Sequence, residues 1–218
     1  MRVVIAGGHG KIALLLERLL AGRGDQAVGL IRNPAHVADV QKAGAEAVIC
    51  DLEAASADDV AVLLSGADAV VFAAGAGPGS GAPRKDSVDR AASVLMADAA
   101  ERAGVGRFVQ VSSMGAGRPP RPGGDEVWAA YITAKTAAEA DLRARGLDWT
   151  ILRPGSLTDA RATGRIRLAP PPVPGGTVPR ADVAAVIAAL LDNPGTCHRT
   201  LELVGGDSPV AAAVHSMS

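Results

Sequence analysis

Short runs of apolar residues alternate along the chain with longer segments whose apolar residues recur at helical spacing. Within the runs, successive residues are apolar rather than alternately apolar and polar, which is typical of strands buried on both faces of a parallel sheet. The predicted strands cover residues 3–6, 26–31, 46–50, 69–72, 108–111, 149–152 and 200–204.

The segments between these runs predict helices. After the first strand, one helical face carries Ile12, Leu15, Leu16, Leu19 and Leu20. A second helix is predicted to begin at Asn33-Pro34, with the asparagine as N-cap and the proline in the first turn. Further helices are predicted over residues 56–64, 87–103 and 127–145, and around 183–191.

Repeated alternation of strand and helix predicts an α/β fold. We expect a single doubly wound parallel sheet of the Rossmann type, with strand order 3-2-1-4-5-6-7, helices on both faces and one domain over residues 1–218. Two loops follow strands and are rich in proline or glycine: residues 115–126, and residues 156–179 with the richest part at 167–179. Both are predicted to lie over the carboxyl edge of the sheet, either as rims of a ligand site or as plain surface loops.

Composition argues against several classes of partner. The net charge is −1 and only 2% of residues are aromatic, so neither a basic surface nor a stacking platform for nucleic acid is indicated. We expect no membrane segment and no secretory signal, and Cys50 and Cys197 fit a reduced compartment, so a cytoplasmic protein is predicted. The four histidines are scattered, which predicts no metal site.

A glycine-rich turn separates the first strand from the first helix. Gly8-x-Gly10-x-x-Ala13 fits the dinucleotide fingerprint, and Gly7 offers a wider variant of the spacing. Such a turn presents backbone N–H groups and the positive end of a helix to an anion, whereas a tight turn without a ligand could use the same glycines. The strand–turn–helix context favours cofactor binding. The candidate cofactor contacts of this turn are Gly7, Gly8, His9, Gly10, Lys11 and Ile12.

The end of the second strand indicates which dinucleotide is bound. An NAD(H) site usually carries an acidic residue there, to accept hydrogen bonds from the ribose hydroxyls. This chain has Arg32 instead, and a guanidinium can bind a 2′-phosphate, so NADP(H) is predicted over NAD(H). At the end of the third strand, Asp51 and Leu52 either contact the adenine or begin a turn.

Tyr131 and Lys135 lie four residues apart on a predicted helix, so their side chains share a face. An ammonium near a phenol favours the phenolate, and such a pair can move a proton to or from a carbonyl or alcohol oxygen. The same spacing also occurs on solvated helices that have no catalytic role. Trp128 is expected to pack near Tyr131, as a pocket wall or as part of the core.

Together, the glycine turn, Arg32 and the motifs VSS (111–113), YITAK (131–135) and LRPG (152–155) resemble the short-chain dehydrogenase/reductase superfamily. They are most similar to its atypical, NmrA-like branch of NAD(P)-binding, epimerase- and dehydratase-like proteins. The resemblance covers nearly the whole chain.

This resemblance implies roles for particular residues. Ser113 would polarise the substrate oxygen, Tyr131 would be the acid or base, Lys135 would bind the nicotinamide ribose, and Asp89 would stand where the superfamily often has asparagine. The further cofactor contacts that it implies are Ala73, Ala74, Gly75, Val111, Ser112, Pro154 and Gly155.

The resulting functional prediction is an NADP(H)-dependent oxidoreductase that transfers hydride between the cofactor and a small carbonyl or alcohol substrate. Two alternatives are a non-catalytic module that senses NADP(H), and a flavin or quinone reductase. We expect a small-molecule substrate, and a monomer or homodimer.

Overall fold

The computed structural model describes residues 1–77, 79–119 and 125–218. Its strands are β1 (Arg2–Ala6), β2 (Gln26–Ile31), β3 (Glu46–Ile49), β4 (Ala69–Phe72), β5 (Arg107–Val111), β6 (Asp148–Pro154), β7 (Ser156–Thr158), β8 (Arg165–Ala169), β9 (Thr177–Pro179), β10 (Arg199–Gly205) and β11 (Ser208–Pro209). Its α-helices are α1 (Lys11–Gly22), α2 (Val37–Lys42), α3 (Ala57–Leu64), α4 (Ala82–Arg84), α5 (Ala92–Ala103), α6 (Glu126–Arg143), α7 (Arg180–Leu191) and α8 (Val210–His215).

The main sheet has the order β3-β2-β1-β4-β5-β6-β10-β8-β11. The strands from β3 to β10 in that order are parallel neighbours, and β10 is the seventh strand predicted from the sequence. The predicted Rossmann-type fold and its order 3-2-1-4-5-6-7 are therefore confirmed. The expectation of a purely parallel sheet is wrong at one edge, where β8 pairs antiparallel with β10, and β11 with β8.

Burial on both faces explains why the strands are continuously apolar. In β1, Val3 and Ile5 point into a core formed with α1 and α7, while Val4 and Ala6 point into a second core formed with α3 and α5. All four side chains are fully buried. Strands β1, β2, β4, β5 and β6 thus contribute buried residues to both cores, and helices cover both faces of the sheet.

Two helix starts follow from their capping residues. The side chain of Asn33 accepts a hydrogen bond from the Ala35 N–H (3.0 Å) and begins a short 3₁₀ turn at Pro34–His36, as its position before proline predicts. Ser56 and Asp59 form a reciprocal capping box at the start of α3.

The prediction of a loop over residues 156–179 is wrong, because this segment contains β7, β8 and β9. In β8, Ile166 and Leu168 are inward and buried, whereas Arg165 and Arg167 are exposed. This alternation is typical of an antiparallel strand with one solvated face, and the surrounding prolines and glycines concealed it. In the other predicted loop, residues 120–124 lie outside the described part of the chain.

The helix predicted over 87–103 begins earlier and is irregular. After α4, residues Lys85–Ala91 form a π-helical segment that continues into α5. Such segments change the direction of side chains and occur frequently at functional sites. Among the residues described, no helix is both long enough and apolar enough to cross a membrane.

An ionisable side chain on α1 is buried beneath the glycine turn. Glu17 is fully buried, and neither of its carboxyl oxygens has a hydrogen-bond partner among the described residues. The carboxyl group lies against glycine backbone, since a Cβ added to Gly29 would come within 2.7 Å of Oε1. Burial raises the pKa of Glu17 to about 8.

This burial predicts that Glu17 makes folding stability depend on pH. The folded-state pKa of Glu17 is above that of the unfolded chain. The free energy of unfolding therefore carries its full value below about pH 4, where Glu17 is neutral in both states, and falls as pH rises from there to about 8. Glu17→Gln cannot ionise, so we expect it to be more stable than the original protein by up to about 5 kcal/mol near pH 9, with a smaller difference near pH 5. Thermal unfolding over this range measures the effect; parallel pH profiles would contradict it.

Candidate functional site

Two adjoining cavities lie along the carboxyl ends of the parallel strands. The smaller, about 380 Å³, is lined by Arg32, Asp51 and Leu52 with the glycine turn. The larger, about 760 Å³, is lined by residues that include Tyr131 and Lys135. Both cavities share three lining residues: Ala73, Ala74 and Gly75. One cleft therefore joins the glycine turn to the Tyr131 region.

The glycine turn is packed so tightly that side chains are excluded. Gly7 has a φ of +80°, and a Cβ there would lie 2.7 Å from the Ala74 Cα atom. A Cβ on Gly8 would lie 2.6 Å from the Gly29 Cα atom. Two N–H groups of the turn already have partners within the protein, since Gly8 N–H donates to the Leu30 carbonyl and Gly10 N–H to the Gly7 carbonyl. The N–H groups of the first turn of α1 are therefore the donors best placed for an anion.

The side chains of two predicted contacts at this turn are engaged elsewhere. The Nε2 atom of His9 is 2.9 Å from a carboxylate oxygen of Asp39, and its ring stacks on that of His36 at 3.6 Å. His9 still lines the smaller cavity. The Nζ atom of Lys11 donates to Asp159 at 2.6 Å. Ile12, by contrast, lines the larger cavity.

A cluster of charged residues surrounds the predicted adenosine end. Arg32 and Arg84 each donate to the same oxygen of Glu53 at 2.7 Å, and the hydroxyl of Ser87 donates to the other oxygen at 2.6 Å. The hydrogen bond from Ser87 and the two guanidinium groups hold the pKa of Glu53 below its usual range. Two guanidinium groups, those of Arg32 and Arg84, therefore meet at the site where the sequence predicted only Arg32.

Asp51 caps a turn in this structure. Its side chain accepts a hydrogen bond from the Glu53 N–H at 3.0 Å, which is the turn-forming alternative that the sequence left open. Asp51 and Leu52 also line the smaller cavity, so the turn places them beside the cleft.

Lys135 and Asp89 meet in the buried wall of the larger cavity. The Lys135 Nζ atom is 3.2 Å from Asp89 Oδ1 and donates to the Val111 carbonyl at 3.1 Å. The other carboxylate oxygen of Asp89 accepts from the Ala76 N–H at 3.2 Å. Both side chains are almost wholly buried. The contact joins α6, the π-helical segment and the end of β5.

Two ammonium groups lie near the ring of Tyr131. The Nζ atoms of Lys85 and Lys135 are 5.4 and 5.8 Å from the centre of this ring. The ring of Trp128, which also lines the cavity, lies 5.4 Å from that of Tyr131. The half-buried Tyr131 side chain therefore lines the cavity close to the positive charges of Lys85 and Lys135.

The two serines that follow β5 have different surroundings. Ser112 lines the larger cavity, but its hydroxyl donates to the buried carboxylate of Glu139 at 2.6 Å. Burial alone would raise the pKa of Glu139, but hydrogen bonds from Arg153 and Ser112 hold it below the usual range. The side chain of Ser112 thus supports the α6–β6 contact. The hydroxyl of Ser113 is half-buried, 3.3 Å from the Met114 carbonyl, in the same cavity as Tyr131.

The remaining predicted contacts also line the larger cavity: Val111, Pro154 and Gly155. Gly155 is tightly enclosed, because a Cβ there would come within 2.4 Å of the Gly176 carbonyl oxygen. Close packing of these two backbones brings the segment before β9 to the edge of the cavity.

Sequence reasoning missed five charged residues of the cleft. These are Glu53, Arg84, Lys85, Asp125 and Arg180. The spacing of Lys85 and Asp89 matches that of Tyr131 and Lys135, and this signal could have drawn attention to Lys85. Glu53, Arg84 and Arg180 carry no comparable signal, because long-range folding alone brings them to the cleft.

These residues fit a nicotinamide dinucleotide. Its phosphates would meet the helix N-terminus, a charged cluster lies at one end of the cleft, and the Tyr131–Lys135 pair lies at the other. Gly75, which lines both cavities, packs its backbone closely against Asp89. A Cβ at this position would lie 3.2 Å from Asp89 Oδ1. Within the described residues, no group of three histidine, cysteine or acidic side chains is placed to hold a metal ion.

Known proteins resemble this chain along its whole length. A family model described as NAD(P)H-binding matches residues 7–194. The chain is 34% identical over its full length to the whole of YhfK, a Bacillus subtilis protein named an uncharacterized sugar epimerase.

Two solved structures extend this comparison. One, from Bacillus halodurans and provisionally named an NAD-dependent epimerase/dehydratase, is 35% identical, with a TM-score of 0.90 over 99% of both chains. ChuY from Escherichia coli O157:H7, named an anaerobillin reductase, is 27% identical, with a TM-score of 0.78 over 95% of this chain and 98% of its own. These matches confirm the resemblance found in the sequence.

The buried contact between Lys135 and Asp89 predicts a large loss of stability when its charge is removed. Asp89→Asn leaves a buried ammonium without its carboxylate, so we expect the free energy of unfolding to fall by about 3 kcal/mol. Asp86→Asn, on the same segment, removes an exposed partner of Arg90 and should cost less than about 1 kcal/mol. Urea unfolding compares the two variants; equal losses would contradict this assignment.

Proposed function

We propose that this chain, which belongs to the family of NAD(P)H-binding proteins, is an NADP(H)-dependent oxidoreductase that acts on a small carbonyl or alcohol substrate. The observation that carries this proposal is the convergence of Tyr131, Lys135 and Ser113 in one cavity that adjoins the dinucleotide cleft. The reductase name of ChuY, at 27% identity, supports the same class of reaction.

In the reducing direction, Tyr131 donates a proton to the substrate oxygen, and Ser113 donates a hydrogen bond that positions this oxygen. When bound, the nicotinamide supplies the hydride. The ammonium of Lys135 stabilises the phenolate that remains, since it lies 5.8 Å from the ring centre. Asp89 and the Val111 carbonyl hold that ammonium in place.

The preference for NADP(H) is supported by Arg32 and Arg84. Both guanidinium groups lie at the smaller cavity and share Glu53, so a 2′-phosphate would meet two cations already gathered at one point. A guanidinium binds phosphate with paired, charge-assisted hydrogen bonds. The carboxylate of Glu53 in this cluster is already bonded to both arginines and to Ser87.

The proton-transfer role of Tyr131 predicts a specific defect. Tyr131→Phe keeps the ring but removes the hydroxyl, so we expect kcat for a reducible aldehyde to fall by about 10²-fold or more. The dissociation constant of NADPH should change by less than about threefold. Turnover is followed by loss of NADPH absorbance, and cofactor affinity by NADPH fluorescence.

Full turnover by Tyr131→Phe would contradict this mechanism and favour flavin or quinone reduction in an open pocket. Tight NADPH binding by the original protein, with no turnover across aldehyde, ketone, quinone and flavin panels, would favour the non-catalytic sensing module.

The arginine cluster predicts selectivity between the two dinucleotides. We expect NADPH to bind the original protein about tenfold or more tightly than NADH, with Arg32→Ala and Arg84→Ala each reducing this ratio by about tenfold. Arg90→Ala serves as the control, because Arg90 pairs with the exposed Asp86 on the same segment. Calorimetric titration with both cofactors measures the ratio, and equal affinities in the original protein would refute the role of the cluster.

A further inference from the structure

Lys85 is a buried cation whose charge nothing in the described chain balances. The residue is only 8% exposed, and its Nζ atom donates to the Gly77 carbonyl at 2.9 Å. No carboxylate lies within 4 Å of this ammonium among residues 1–77, 79–119 and 125–218, and the residues outside these ranges include no Asp or Glu. Burial of an ammonium with a single neutral acceptor is costly, and two of its three N–H donors remain for another group.

The other cations around the larger cavity have carboxylate partners. Lys135 pairs with Asp89 at 3.2 Å, and Arg180 pairs at 2.7 Å with Asp159, which Lys11 also contacts. Asp125 caps the start of α6, where its carboxylate accepts hydrogen bonds from two backbone N–H groups. Among the described lining residues, Lys85 is therefore the cation that has no carboxylate within 4 Å, and the carboxylate of Asp125 is held by backbone N–H groups instead.

Lys85 and Trp128 both lie close to the ring of Tyr131. The ammonium of Lys85 is 5.4 Å from the ring centre of Tyr131, and that ring is 5.4 Å from the ring of Trp128. Trp128 is 52% exposed, although it is an indole beside a cavity, and Val127 and Leu157 on the same lining are 42% and 38% exposed. The cavity thus combines an apolar rim with one unmatched interior cation.

We propose that Lys85 binds a carboxylate of the substrate, and that the rim formed by Val127, Trp128 and Leu157 contacts an aromatic or similarly apolar part of the same molecule. This inference rests on the proposed reductase function and names its substrate class: an apolar carbonyl compound that also bears a carboxylate. A carboxylate would remove the uncompensated charge and accept hydrogen bonds from the free N–H donors of Lys85.

The alternative role of Lys85 is purely structural, as a hydrogen-bond donor to the Gly77 carbonyl. Two substitutions distinguish this role from carboxylate binding. Lys85→Gln can still donate a hydrogen bond to the Gly77 carbonyl but carries no charge, whereas Lys85→Arg keeps the charge. Lys42→Gln is the matched control, because Lys42 is an exposed lysine on α2, away from both cavities.

The test compares the NADPH-dependent reduction of 4-carboxybenzaldehyde with that of its methyl ester, methyl 4-formylbenzoate. We expect the original protein to favour the acid by about tenfold or more in kcat/KM, mainly through a lower KM. Lys85→Gln should lower this acid-to-ester ratio by about tenfold, while Lys85→Arg and Lys42→Gln retain it. Equal kcat/KM for acid and ester in the original protein would overturn the proposal without any variant.

A binding measurement separates this proposal from the reductase function. Benzoate and benzamide are titrated calorimetrically into the NADP⁺ complex, where the bound cofactor already occupies the arginine cluster. We expect benzoate to bind about tenfold more tightly than benzamide, and Lys85→Gln to abolish the difference.

If this difference is found but no aldehyde is reduced, the carboxylate site stands and the proposed function fails. If aldehydes are reduced without preference for the acid, and benzoate binds no better than benzamide, the function stands and the role of Lys85 is wrong.

Discussion

The buried contact between Lys135 and Asp89 is the interaction on which the rest of the site depends. It joins α6 to the π-helical segment, and through the Val111 carbonyl it fixes both to the end of β5. Taking two charges out of water is expensive, and the hydrogen bonds from Lys135 to the Val111 carbonyl and from the Ala76 N–H to Asp89 offset part of that cost. Its position fixes the helix face that presents Tyr131 to the cavity.

Close packing of backbone shapes the part of the cleft at the glycine turn. Gly7 and Gly8 bring the first turn against Ala74 and Gly29, at distances that no side chain would allow. The same packing encloses Glu17, whose carboxyl group lies beneath the turn without a partner among the described residues. A buried acid thus lies close to the N-terminal end of α1, the predicted phosphate site, where its neutral form is compatible with a phosphate and its ionised form would repel one.

The sheet could be predicted because each central strand is buried on both faces, which leaves a continuous apolar run in the sequence. The antiparallel strand β8 escaped prediction because Ile166 and Leu168 alternate with arginines inside a segment rich in proline and glycine. In the site, helical spacing indicated Tyr131 and Lys135, but it could not show which of two adjacent serines faces Glu139. The positions of Glu53 and Arg84 depend on contacts across more than 30 residues, which no local pattern records.

Arg84 and Lys85 are consecutive residues, yet they belong to different cavities. The guanidinium of Arg84 reaches Glu53 at the predicted 2′-phosphate end, while the ammonium of Lys85 reaches Gly77 and the ring of Tyr131. A single peptide therefore connects the two ends of the cleft, and Ser87 attaches the same segment to Glu53 a second time. A shift of the Arg84 backbone would also move Lys85, because the two residues share a peptide bond. The proposed recognition of a 2′-phosphate and the proposed placement of a substrate carboxylate thus share one support.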